Sequence, residues 1–337
     1  MSDISAKFKP SISNVEFNDG ELQFILSGDD EYGFDKSLAN AIRRTLLTDI
    51  PTVGFKINEN GENNDINMIL NNTSLHNEML LHRISMIPLY INPENFMKNY
   101  LFECKIKHDT EHPYQFVTMN DINIYPLKSG FLDRLDKFFD ESYDLSEEDQ
   151  RILKQQLNEF NHENYDLKKP LSQKEKDKIV RPFPFRGNNH YSMITELKST
   201  NTEDTFQELH FYGSPSVGYG SDHARFQGVS QATYSFTKDE DLIQDALSQK
   251  IQFEEIDQEN TEEFERKFML AESERYFYRD NEGEPNSYNF AIKSNHYYNS
   301  ETLFKKSIEI LIENCETLKL EFIELLMEED SSVSVDK

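Results

Sequence analysis

The sequence predicts an α+β fold: a small antiparallel sheet carrying two amphipathic helices, one near each end of the chain. Three observations predict it. Ser13 to Leu26 reads as a β-hairpin, with Val15 and Phe17 alternating on one arm, Leu22, Phe24 and Leu26 on the other, and Asn18-Asp19-Gly20 between. Leu38, Ala39, Ile42 and Leu46 recur at helical spacing and mark a helix from about Asp35 to Asp49. Phe304, Ile308, Leu311, Cys315, Leu318, Phe322 and Leu325 alternate by four and three, which is the seam of a coiled-coil-like helix from about Ser300 to Met327.

The elements between these follow from local chemistry. Asp35 and Ser37 are both suited to cap the first helix, because their side-chain oxygens accept from free first-turn N–H groups. Pro51 restrains Ile50 from the helical region and ends it. Val53 to Ile57 and Asn67 to Leu70 read as strands around the polar loop Asn58 to Asp65. Met79 to Leu89 reads as a short helix ending at the Ile87-Pro88 step, and Leu101 to Lys107 and Asn120 to Tyr125 as strands. From Ser129 to Arg181 the composition is charged and helical. There Ser146 with Asp149 starts a capped helix whose apolar side is Ile152, Leu153, Leu157 and Phe160. A β-rich block spans His190 to Phe236, an acidic stretch with helix near Glu262 to Tyr276 spans Asp239 to Gly283, and Tyr288 to Ser294 alternates as a strand.

Composition narrows the function classes. A net charge of −27 over 337 residues repels a phosphate backbone, so direct specific nucleic-acid binding is not expected, and no basic run appears. No apolar run is long enough to span a bilayer and no signal region opens the chain, so no membrane role is expected. Cys104 and Cys315 are the only cysteines and stand far apart, which argues against a thiolate metal site. His108 and His112 have a ligand-like spacing but sit among loop residues, and His76 and His210 make no persuasive zinc triad. No nucleophile elbow, phosphate-binding loop or paired metal carboxylate motif stands out, so no catalytic residue, metal or cofactor is assigned.

Four blocks in order carry a resemblance. SLANAIRRTLL runs into DIPT (Ser37 to Thr52), and NTSLHNE and HRISMIPL follow (Asn72 to Leu89). Ile194 to Lys198 stands ahead of Gln207-Glu208-Leu209 and GYGSDHARFQGVSQATYSF (Gly218 to Phe236), and Tyr288 to Leu326 closes the chain. Together they resemble the assembly subunit of cellular RNA polymerases, the family of the bacterial α subunit, its archaeal counterpart and the third-largest subunit of eukaryotic RNA polymerase II. The Ser129–Arg181 and Asp239–Gly283 regions carry no motif of that family.

The resemblance implies a split dimerisation domain, residues 8–51 with 220–328, the latter holding a peripheral acidic insert at 239–283. A mostly β insertion domain, 52–219, interrupts it, with a charged helical elaboration at 129–181. It implies a non-catalytic subunit that dimerises with a smaller subunit of related fold through Leu38, Ala39, Ile42, Leu46 and the seven seam residues. That dimer would form a platform for the second-largest and largest subunits, with small accessory subunits beside it. Catalytic metal chemistry would belong to the largest subunit. Arg43, Arg44, His82, Arg83, His223 and Arg225 are the polar residues of the matched motifs and are assigned to the large-subunit interface.

Two isolated cysteines cannot reproduce the zinc site of the eukaryotic member, a departure that suits a large DNA virus or a divergent cellular polymerase alike. The implied location is intracellular: nucleus, or cytoplasm, viral factory and virion if viral. Two readings from other classes compete, a metal-dependent hydrolase built on the scattered histidines and carboxylates, and an unrelated acidic coiled-coil adaptor.

Overall fold

A computed structural model describes residues 9–29, 33–58, 64–94, 96, 100–108, 112–126, 170–199, 206–256 and 260–333, with side chains described as far as 325. In chain order the first elements are β1 (Ser11–Asn18), β2 (Glu21–Ser27), α1 (Lys36–Thr48), β3 (Pro51–Gly54), β4 (Ile66–Asn71) and α2 (Asn77–Ser85). Then come β5 (Tyr100–Lys107), β6 (Tyr114–Thr118), β7 (Asn123–Pro126), α3 (Gln173–Ile179), β8 (Phe183–Phe185), β9 (Asn188–His190) and β10 (Met193–Lys198). The last are β11 (Glu208–Gly213), β12 (Ser216–Tyr219), β13 (Val229–Phe236), α4 (Glu240–Phe253), α5 (Thr261–Ala271), β14 (Ser287–Ser294) and α6 (Ser300–Val333). The helix expected from Ser146 lies outside the described residues.

Helices and antiparallel sheets mix as an α+β fold, and the chain divides into two compact units, Met1–Ile50 with Gln227–Lys337, and Pro51–Phe226. The first is built on one sheet of order β1-β2-β14-β13, antiparallel throughout, so the pairing of β2 with β14 joins segments more than 250 residues apart. Asn286 seals the same join: its Oδ1 accepts from the N–H groups of Gly28 (3.1 Å) and Phe34 (3.0 Å). The β1–β2 turn places Asp19 and Gly20 at φ 48° and 77°, left-handed conformations that glycine adopts freely.

Alternation on β2 and β14 turns Leu22, Phe24 and Leu26, and Tyr288, Phe290 and Ile292, to one face of this sheet. On that face lie Ala39, Ile42 and Leu46 of α1 and Leu303 and Phe304 of α6. Phe24 stacks on Phe290 (5.4 Å between centroids) and meets Phe304 edge-on (4.7 Å). Each of these large side chains contributes roughly 1.5–3 kcal/mol on burial. Asp35 caps α1 by accepting from the Ser37 N–H, a bond that holds its carboxyl below the usual range.

The acidic stretch between β13 and β14 forms two helices, α4 and α5, around Ile243, Leu247 and Phe268. The 14-residue α4 is not among the sequence expectations. Its apolar positions Ile243, Ala246, Leu247 and Ile251 carry the helical period, but the surrounding carboxylates mask it.

The second unit holds a sheet of order β4-β11-β5-β7 and the two-stranded pairs β6–β10, β3–β12 and β8–β9. Its core gathers Phe55, Phe102 and Phe211 with Leu80 and Ile84 of α2. The unit closes at Phe226, beyond the expected boundary, because the loop after β12 folds onto β3. Thr52 Oγ1 donates to the Phe226 carbonyl (2.6 Å), and the Phe226 ring fills the space over Gly54 and Gly218.

Candidate interaction surface

α1 and the first part of α6 cover β2, β13 and β14 but leave an apolar groove open along their own seam. Leu38 and Ile42 of α1, and Ile308, Leu311, Ile312 and Cys315 of α6, line it together with Ile12 of β1, for a volume of about 540 Å³. Glu316 and Lys319 stand at one rim.

The expected interface residues therefore fall into three groups. Ala39, Ile42, Leu46 and Phe304 are all buried within the unit, which makes the inner face of α1 part of the chain's own core. A surface read as one stripe is two, because a helix lying on a sheet must spend part of its apolar face on that sheet. Leu38 (40% exposed) and Ile308 (37%) stand at the groove with the half-buried Leu311 and the exposed Cys315. Leu318, Phe322 and Leu325 are all more than half exposed, with Leu320 and Ile323 beside them.

The 34 residues of α6 extend about 51 Å at 1.5 Å per residue. Its buried residues end at Ser307, with Ile310 and Leu311 only half-buried. Sequence reasoning missed Ile312 and Ile12 and took Val15 and Phe17 only as hairpin residues, not as an exposed apolar row on β1, though each of the four is more than half exposed. Ile12 pairs with Leu26 and Phe17 with Leu22, so both lie on the helix-bearing face of the sheet. A bulge between Ser13 and Glu16, with Asn14 at φ 49°, breaks the alternation that would have revealed that row from the sequence.

The polar residues are more dispersed. Arg43 bonds back to Asn40 Oδ1 through Nε (3.1 Å) and Nη2 (2.8 Å), while Arg44 is exposed. His82 and Arg83 are exposed at the end of α2, and Arg83 Nη2 donates to the Met193 carbonyl (3.2 Å). His223 is exposed, and its Nδ1 accepts from the Arg225 N–H (3.1 Å).

Arg225 is not on the surface where the motif reading placed it. It is 8% exposed, donates to the Phe55 carbonyl (3.2 Å), and burial lowers its pKa despite the nearby Asp65. Its place is internal: it holds the loop after β12 to β3 and the chain that follows.

Among the described residues no group of three or more His, Cys, Asp or Glu is placed to hold one metal ion. His210 faces Glu103 across strands (3.9 Å), with burial depressing its pKa, and Cys104 is buried with its thiol pushed up to about 12. A buried thiol of that kind is a packing group, not a nucleophile. Among the described residues no helix is long and apolar enough to cross a membrane.

The RNA polymerase Rpb3/Rpb11 dimerisation domain model matches residues 30–315. The chain is 34% identical over 82 residues to DNA-directed RNA polymerase subunit Rpo3 of Thermococcus kodakarensis, covering 24% of this chain and 27% of that protein. It is 39% identical over 66 residues to the subunit rpac1 of DNA-directed RNA polymerases I and III of Dictyostelium discoideum, covering 19% and 16%. With the human subunit RPAC1 of RNA polymerases I and III it shares 32% over 99 residues, covering 29% and 22%. The chain thus spans about a quarter or less of the length of these relatives.

Proposed function

This chain belongs to the RNA polymerase Rpb3/Rpb11 dimerisation domain family, and from that premise we propose that it is a non-catalytic assembly subunit of a multisubunit DNA-directed RNA polymerase. It pairs with a smaller subunit of related fold, and the pair forms the platform on which the two large catalytic subunits assemble inside the cell. The observation that carries this reading is the open apolar groove of about 540 Å³ between α1 and α6, continued by the exposed apolar residues of α6. An apolar surface of this extent on a chain of net charge −27 is expensive to leave in water.

A partner with the same two-helix arrangement would lay its helices into the groove and along α6. An obligate interface of that kind buries on the order of 2,000 Å² or more. Arg44 is exposed on α1 and available to a large subunit, where the planar guanidinium suits bidentate contacts to carboxylates. Arg43 reaches the same surface only by releasing Asn40.

The test is co-expression with candidate smaller subunits of related fold, followed by sedimentation. A stable one-to-one pair that recruits the second-largest subunit supports the proposal. A chain that remains a compact monomer at micromolar concentration beside such candidates overturns it.

A further inference from the structure

Directly after α3 the chain forms a two-stranded hairpin, β8 and β9, that among the described residues joins no larger sheet. Phe183 pairs with His190 and Phe185 with Asn188, so alternation places all four side chains on one face. Every residue from 183 to 190 is exposed, with Phe183 at 53% and Phe185 at 55%. Phe183 stacks on the His190 ring (5.8 Å, 24° between planes) and Phe185 meets that ring edge-on (5.8 Å, 71°). An isolated two-stranded hairpin is marginal in water, and among the described residues nothing covers this aromatic face, so it has no part in core packing.

The turn is Arg186-Gly187, at φ 51° and 81°. Asn or Gly would occupy the first position with less strain. Arg186 there sets its guanidinium over the Phe185 ring, 5.2 Å from the centroid. The local charge is opposite to that of the chain: residues 173–190 hold more Lys and Arg than acids, within a net charge of −27.

Both acids of that stretch have hydrogen-bond donors of their own. Glu175 accepts from Ser172 N–H (3.0 Å) and Oγ (2.7 Å), and Asp177 accepts from Gln173 Nε2 (2.8 Å) and Tyr191 OH (2.6 Å). Lys176 is buried, with its ammonium on the Asn120 carbonyl, but Lys174, Lys178, Arg181 and Arg186 are exposed. Among the described residues no carboxylate forms a salt bridge with these four. The Tyr191 to Asp177 bond ties the chain leaving the hairpin back to α3.

We infer that this hairpin, with the exposed cations of α3, is a contact site for single-stranded nucleic acid without sequence preference. Unpaired bases offer flat faces that stack on Phe, His and Arg, and their phosphates match the exposed Lys and Arg side chains. A duplex hides its base faces, and an acidic polypeptide uses the cations but leaves the aromatic face idle. The overall acidity does not forbid the contact, because at physiological salt charges beyond about 8 Å are largely screened. The inference goes beyond the assembly reading and does not rest on it.

Fluorescence anisotropy of the full chain with a labelled oligo-dT of about 15 nucleotides tests it, titrated from about 50 mM salt upward. The expected result is binding that weakens with salt, exceeds that for a duplex of equal length, and falls roughly tenfold or more in Phe183→Ala/Phe185→Ala. Lys174→Gln/Lys178→Gln/Arg186→Gln should flatten the log–log salt slope by about two. Because all five side chains are exposed, circular dichroism and melting of both variants should match the parent. No binding at low salt, or equal binding by the double-Ala variant or by duplex, overturns the inference. Competition by poly-Glu as effective as that of unlabelled oligo-dT also overturns it and assigns the patch to an acidic protein segment.

Discussion

Ile312→Asp separates pairing from folding better than any other substitution in the groove. Ile312 lines the groove yet is 55% exposed in the unpaired chain, whereas Leu311, one residue earlier, is half-buried against the unit's own core. Leu311→Asp would therefore damage both folding and pairing. At Ile312 the folded chain already tolerates water, so the change should cost less than about 1 kcal/mol of stability, much of it the lower helix propensity of Asp. In the proposed pair the same position would be covered. Burying the remaining half of the side chain contributes about 1 kcal/mol, and an uncompensated carboxylate there costs about 3 kcal/mol or more. Pairing should weaken by about 4 kcal/mol, close to a thousandfold in Kd. Sedimentation velocity with the co-expressed smaller subunit reads the pairing, and a melt of the free chain reads the fold. A variant that melts normally and pairs within about threefold of the parent would show that the groove is not the interface. One that fails to fold would show that the groove belongs to the core.

Other expectations rest on separate features. Gly218→Ala puts a methyl 2.7–2.8 Å from the Phe226 ring carbons, so the ring must move, and a melt should show a loss of about 1–3 kcal/mol. Arg225→Ala strips the Phe55 carbonyl of its buried donor and should cost about 2 kcal/mol or more of folding stability, read by the same melt. Arg44→Ala should cost about 0.5 kcal/mol or less yet weaken co-purification of a large subunit by about 2 kcal/mol. Burial holds the His296 pKa down at about 4 against 6.5 unfolded, so between these values the unfolded chain binds the proton and the folded chain does not. His296 thus contributes no pH dependence above about pH 6.5, and roughly 3 kcal/mol is lost as the pH falls from there to 4; denaturant titrations of His296→Gln should lack that share of the slope. Cys315 is exposed in the groove and Cys104 buried, so a maleimide should label the first alone, and a bound partner should protect it.

Much of the fold was legible because its signals are local. Asp35 caps α1 as its side-chain chemistry predicts, and the first helix ends before Pro51. The alternations on β2 and β14 mark strands that turn those side chains into the core. Less legible was anything decided by what a face packs against. The seam of α6 is continuous in the sequence, but the sheet ends beneath it, so Phe304 is buried while Phe322 is 65% exposed. Nothing in the spacing of the seven residues marks that change. Arg225 sits in a motif whose polar residues read as surface, yet its guanidinium turns inward to a carbonyl that only the tertiary fold supplies. The β8–β9 hairpin escaped notice because Arg-Gly lacks the Asn-Gly or Asp-Gly signal of a primed turn, and Pro184 argues against a strand.

The most direct measurement is the composition of the complex this chain forms where it is made. Tagged at one terminus, purified under mild conditions and quantified by mass spectrometry, it should carry one copy of a smaller subunit of related fold. One copy each of the two large subunits of a DNA-directed RNA polymerase should accompany them, and Ile312→Asp should lose the smaller subunit. Recovery of the chain as a lone monomer, or in a stoichiometric complex without polymerase subunits, would contradict the assignment.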